Sequence, residues 1–185
     1  MQQLLAGCTD SDIDAIKRYM ATRKAATGTI LVEMGATDRD MYILEEGGCE
    51  VYQQVMMAGK PFAMRVGKIE APALLGEANL LMGEKRNATV IVSKDTTCRV
   101  LSHAAYQKMK EENPALAVKL LEAINIQVSR RFLDSQKLWM EKLISTSPSP
   151  EMGLDYLKKI LGNVTPCSPG LAKKLFKLNQ PRFNM

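Results

Sequence analysis

Hydrophobic positions change period along this chain, and the changes mark out its elements. Ile13, Ile16, Tyr19 and Met20 recur at helical spacing behind Thr9 and Asp10, either of which can cap a helix. That helix is expected to run up to the basic and glycine signals between Arg23 and Gly28. A strand-like pattern follows. Residues 29–33, 41–45, 49–54 and 61–69 are β-rich and are separated by Gly35, Gly47-Gly48 and Gly59, the spacing of an all-β roll or barrel. Residues 88–93 and 96–102 form two further runs flanking Lys94-Asp95, which reads as a hairpin turn. From Ser102 the helical period returns through Tyr106 and Met109, with His103 starting or capping that helix. It restarts at Asn113-Pro114, where asparagine can cap and proline suits the first turn, and it can continue to Ile144.

That last helix would be roughly 30 residues long, beyond the usual globular length. Its apolar face, Leu116, Leu120, Leu121, Ile124, Val128, Phe132, Leu138 and Trp139, exceeds what one small roll can cover. Either it packs against a second copy or it reaches a protein partner, although Asn125, Arg131 and Ser135 interrupt a regular heptad seam. Proline and serine at 145–150 mark a linker. Beyond it, Leu154, Leu157, Ile160 and Leu161 suggest one short helix and residues 168–178 another. The expected organisation is a roll over 1–112, a lid or dimerisation helix over 113–145, and a linker with a small basic helical extension over 146–185.

Composition narrows the class. A chain of 185 residues can bury one good core, and 46% apolar with 24% charged residues is ordinary for a soluble globular protein. Neither a signal peptide nor a run of about 20 apolar residues is present, so a cytoplasmic protein is expected. Cysteines 8, 49, 98 and 167 have no metal-ligand spacing, and His103 is the only histidine. Cys49 and Cys98, in strand-like runs, read as small buried hydrophobes. Of the +5 formal charge, residues 146–185 hold most, with six basic residues against Glu151 and Asp155. No nucleophile motif, phosphate-binding glycine loop or paired metal carboxylates occur, so neither an enzyme nor a cofactor is expected.

Chemistry concentrates between Leu75 and Val90. A glycine admits close backbone approach to a ligand, and a short helical turn beginning at Gly76 or Glu77 would aim free amides at an anion. Arg86 would supply the paired charge, while Glu77 could accept hydrogen bonds from sugar hydroxyls. Together these suit a cyclic phosphodiester carrying a sugar. The plainer alternative is a structural ion pair between Arg86 and Glu77 at a strand end, with Asn79 capping locally.

In these residues the chain resembles the cyclic nucleotide-binding domain family, as found in the regulatory domains of cyclic AMP receptor-like proteins and cyclic nucleotide-dependent kinases. Gly76, Glu77, Leu80, Leu81, Arg86, Ala88 and Thr89 match its phosphate cassette in register, and the glycine spacing over 28–48 matches its first strands. Leu75, Pro72 and Asn87 depart from it, standing where phenylalanine, glycine and a small residue or threonine are usual. The resemblance implies an α+β fold: an antiparallel, jelly-roll-like β-roll with an N-terminal helix, a short cassette helix and a long C-terminal helix. It implies that Gly76, Glu77, Ala78 and Arg86 hold the cyclic phosphate, that Glu77 takes the ribose hydroxyl, and that Asn87 and Ala88 complete the cradle. Gln127, Arg131 and Phe132 become candidates for a lid over the base. Cyclic AMP is expected ahead of cyclic GMP, and the output is expected through a protein partner or homodimer. The tail lacks a recognition helix and is short for a winged helix-turn-helix, so DNA is not an expected partner. A docking module without ligand, or a nucleic-acid regulator using the basic tail, are the alternatives.

Overall fold

The computed structural model describes residues 1–57 and 60–145, with Ser149, Glu151, Met152 and Asp155 beyond them. The chain runs α1 (Asp10–Arg18), β1 (Ala21–Ala25), β2 (Ile30–Val32), β3 (Met41–Met57), β4 (Lys60–Glu70), β5 (Ala73–Leu75), α2 (Glu77–Met82), β6 (Thr89–Leu101), α3 (His103–Glu112) and α4 (Pro114–Ser145). Internal packing divides it into two units, Met1–Arg130 and Arg131–Met185.

All strand pairs are antiparallel, in the order β1-β6-β3-β4, with β2 also on β6 and β5 also on β3. The two central strands are long because each serves different partners along its two halves. β6 pairs with β2 at Val90 and Ile91 and with β1 from Thr96 to Val100. β3 pairs with β5 from Tyr42 to Leu44 and with β4 from Gly48 onward. Both switch partners at one level, where Gly47 and Gly48 meet Asp95 and Thr96 and the register shifts.

Local chemistry builds that corner. Gly47 has φ +87, and a Cβ there would overlap the Asp95 carbonyl and the Thr96 side chain. The Gly48 amide donates to the buried Thr96 Oγ1 at 3.1 Å, and the hydroxyl in turn donates to the Lys94 carbonyl at 2.7 Å. Asp95 accepts from the Thr27 amide and hydroxyl, both at 2.9 Å, which holds its carboxyl below the usual range. The corner corrects two expectations. Lys94-Asp95 is no hairpin turn, since the residues on both sides of it pair with β3 in one continuous strand. Gly47-Gly48 likewise bends β3 without ending it. Gly59, the third glycine expected at a turn, lies outside the described residues.

α1 begins where expected. Thr9 caps it in a reciprocal box with Asp12, and Ile13 and Ile16 are its buried face. It stops at Arg18, earlier than expected, and Ala21–Ala25 become an edge strand exposed everywhere but Ala25. Asp12 also holds Lys119 of α4 at 2.7 Å, and that bond is the main cause of its pKa of about 2.

Two clusters form the core of the first unit. One fills the roll with Leu31, Tyr42, Leu44, Leu75, Val90 and Cys98. The other packs Ile13, Ile16, Tyr106, Met109, Leu120 and Ile124 of the helices against Met41, Ile43 and Leu101 of the sheet. Successive residues of a strand face opposite ways, so Met41-Tyr-Ile-Leu44 feeds both clusters alternately. Asn113 accepts from the Leu116 amide at 3.1 Å and starts α4 as expected. In the second unit, Phe132, Leu133, Leu138, Trp139 and Met140 of α4 are exposed. The expected helices within 151–178 lie almost wholly outside the described residues.

Gly47→Ala should cost roughly 2 kcal/mol or more, since it combines a left-handed backbone with steric overlap. Thr96→Val should cost about 1 to 3 kcal/mol, because it leaves the Gly48 amide unpaired in the interior. Urea denaturation checks both, and a Gly47→Ala chain as stable as the parent would show that the corner tolerates a side chain.

Candidate functional site

The site begins where the loop 33–40 is laced to the start of β6. The Arg86 amide donates to the Ala36 carbonyl and the Gly35 amide to the Arg86 carbonyl, each at 2.8 Å. The Met34 amide donates to Thr89 Oγ1 at 3.1 Å. These bonds aim alternate residues of the cassette to opposite sides. Arg86 and Ala88 are buried, while Asn87 is exposed.

Arg86 is only 2% exposed, and an ionised group so far from water needs both charge and hydrogen-bond partners. It has them. Nε donates to Asp38 Oδ2 at 3.3 Å and Nη2 to Asp38 Oδ1, a side-on pair. Nη2 also donates to the Asp40 carbonyl at 2.6 Å, and Nη1 to Asn79 Oδ1 at 3.3 Å. Four of the five guanidinium N–H groups are thereby engaged. The hydrogen bond from Arg86 holds the Asp38 carboxyl below its ordinary range, whereas burial and the neighbouring Asp38 charge push Asp40 up.

Gly76 sets the height of α2 over this cation. Its φ is +81, and a Cβ would lie 2.7 Å from both Arg86 Nη1 and the Asp40 carbonyl. No side chain caps α2, which leaves the first amides of the turn without intrahelical acceptors. The other end is clamped. Arg39 donates to the Asn79 carbonyl at 3.3 Å and the Leu80 carbonyl at 2.9 Å, placing a cation on the helix C-terminus. Asn79 Nδ2 donates to the Glu84 carbonyl at 2.8 Å, so one buried amide ties the arginine to the loop leading to it.

Gly76 and Arg86 are therefore brought together, with Glu77 half-buried and Ala78 exposed on the adjoining turn. The carboxylate paired with Arg86 is Asp38, which no motif singles out, and not Glu77 as in the plainer alternative. Asn79 accepts from Arg86 and donates to the Glu84 carbonyl, so it spans the arginine network and is more than the local cap of the plainer alternative. Of the lid candidates, Gln127 donates to the Gln3 carbonyl at 3.1 Å, while Arg131 and the exposed Phe132 belong to the second unit. A groove of about 300 Å³ beside Thr89 is lined by Met34, Tyr52, Gln53, Gln54 and Phe62 but not by Gly76, Glu77 or Arg86. Among the described residues, no three His, Cys, Asp or Glu side chains could hold a metal ion, and no helix is long and apolar enough to cross a membrane.

An antiparallel roll with a left-handed glycine packed on a buried arginine defines a recognisable class. Residues 22–113 match the cyclic nucleotide-binding domain family, and through that segment the chain belongs to it. Many solved structures share the fold, among them three from different organisms. A cyclic nucleotide-binding domain from Methylobacillus flagellatus is 20% identical with a TM-score of 0.68, covering 76% of this chain and 80% of that one. The catabolite activator protein of Thermus thermophilus is 19% identical with a TM-score of 0.58, over 76% of this chain and 64% of its own. The regulatory domain of Toxoplasma gondii PKA, solved with cAMP, is 20% identical with a TM-score of 0.55, over 71% of this chain and 45% of its own. This chain thus spans less than two thirds of the last two. No curated protein matches the sequence.

Asn79→Ala should destabilise the first unit by about 1 to 3 kcal/mol, because the Glu84 carbonyl and one Arg86 N–H lose a buried partner together. Asn79→Asp should lose only the bond to Glu84, since a carboxylate oxygen can still accept from Arg86. Thermal melts of the two variants test this, and an unchanged melt for Asn79→Ala would mean that water replaces the amide.

Proposed function

We propose that the chain binds a cyclic mononucleotide, cyclic AMP ahead of cyclic GMP, and passes that binding to a protein partner. It acts as a regulatory module without catalysis of its own. The observation that carries this reading is the contact of Gly76 with Arg86, which sets uncapped helix amides beside a fixed guanidinium. The amides of Gly76, Glu77 and Ala78 and the arginine hold the cyclic phosphate, Asn87 and the Ala88 amide close the cradle, and Glu77 accepts from the ribose 2′-hydroxyl. Gln127, the lid candidate that lies in the first unit, covers the base. The cAMP named for the Toxoplasma gondii structure supports the ligand class.

One observation favours a second reading, a docking module of the same fold without ligand. Arg86 already has its counter-charge in Asp38. Titration calorimetry with each nucleotide separates the two. Binding heat with cyclic AMP, weaker with cyclic GMP, is the expected result, and no heat and no thermal shift with either at millimolar concentration would establish the docking module. Glu77→Ala should weaken cyclic AMP binding yet hardly change binding of the 2′-deoxy analogue, since only the ribose contact is lost.

The output runs through residues 113–145, as a roll over 1–112 continues into a long helix and then an extension over 146–185. Phe132 and Trp139, 61% and 72% exposed, lie seven residues apart and so recur on one helical stripe. A second copy covers that stripe. Light scattering should report a dimer for the chain and a monomer for the doubly substituted Phe132→Glu, Trp139→Glu variant. A monomeric parent would remove the self-association and leave a different protein as the partner.

A further inference from the structure

We propose that Asp38 is an internal counter-ion that an incoming phosphate must displace from Arg86, making it an affinity-setting gate. The inference rests on the cyclic nucleotide reading above and adds a residue that opposes binding. Charge accounting comes first. Arg86 is buried and carries one positive charge, which Asp38 already balances. A cyclic phosphodiester is a monoanion. Bringing it to the same guanidinium would set two anions against one buried cation, an arrangement that burial makes costly.

Donor accounting leads to the same conclusion. Arg86 engages Nε and Nη2 with the two Asp38 oxygens, which is the edge that offers a planar fork to a bidentate anion. Only one N–H of Nη1 is left over, and a single donor cannot make that fork. When the carboxylate leaves, the diester oxygens inherit both donors.

The surroundings favour exchange over collapse. Asp38 sits on a loop with its side chain 44% exposed, so the released carboxylate reaches water by turning outward. Arg86 does not depend on it for position. Asn79 Oδ1 and the Asp40 carbonyl remain on Nη1 and Nη2, and Gly76 leaves the guanidinium its room. A one-for-one exchange of anions thus keeps the buried charge compensated in both states. Asp40, whose carboxyl is pushed up by burial and by Asp38, is relieved of a like charge in the exchange.

The test is calorimetry with cyclic AMP on the full chain and on Asp38→Asn, which keeps the size and removes the charge. Tightening of about tenfold or more in the variant is expected, the scale of one hydrogen-bonded charge pair released from competition. A parent that gives no heat overturns the nucleotide reading, and the gate that rests on it, even beside a variant that binds. If the parent binds and Asp38→Asn binds equally or more weakly, the gate is overturned while the nucleotide reading stands. Absence of binding in both overturns gate and reading together. Should Asp38→Asn fail to fold, the carboxyl carbon resonance of Asp38 in the parent decides. Displacement predicts that its titration moves from below the ordinary range in the free chain into that range with cyclic AMP bound. An unmoved titration in a nucleotide-bound chain rejects displacement, and a chain that binds no nucleotide rejects it as well.

Discussion

The guanidinium of Arg86 is the constraint around which this domain is arranged. A cation almost wholly removed from water must be matched by charge and by acceptors, and those acceptors come from two segments, the loop 33–40 and α2. Asp38 comes from the loop after β2, the Asp40 carbonyl from the entry to β3, and Asn79 from α2. The demands of one side chain thereby fix the spacing of segments nearly fifty residues apart in sequence. Gly76 follows from the same demand, because any larger residue would take the space that Nη1 and the Asp40 carbonyl occupy. The cassette is thus a packing solution as well as a chemical one.

Such an arrangement needs a platform that does not shift, and the partner-switching strands supply it. β6 anchors the loop that carries Arg86, three residues before its first residue, and passes through the Gly47–Thr96 corner before reaching the helices. Both central strands run on through the register shifts at that level and do not end there. Each half still finds a separate partner.

Much of this was legible in the residues. The caps at Thr9 and Asn113 and the burial of Cys49 and Cys98 follow from local chemistry that reads the same in a chain as in a fold. What escaped notice was set by tertiary pairing. β1 is nearly all exposed, so it lacks alternation, and β5 has only three residues, too few to show a period. Lys94-Asp95 has the composition of a turn, yet Asp95 spends its carboxylate on Thr27 and Thr96 its hydroxyl on Lys94 and Gly48. Asp38 and Asn79 were hidden for a related reason. Polar residues in loops and short helices are usually solvated, and only the fold reveals which of them face a buried cation.

Leu80 shows how a site built on Arg86 can be felt elsewhere. It lies on the cassette helix, one residue after the Asn79 that holds the arginine, and it is fully buried in the cluster that contains Tyr106, Met109, Leu120 and Ile124. Close-packed interiors do not absorb displacement at one position without adjustment at its neighbours. Arg39, by donating to the carbonyls of Asn79 and Leu80, ties the short helix to the loop that carries Asp38. Contiguous contacts thus run from the Arg86–Asp38 pair to the packing that seats the first half of α4. A shift of population requires only that a ligand bind one seating better than the other.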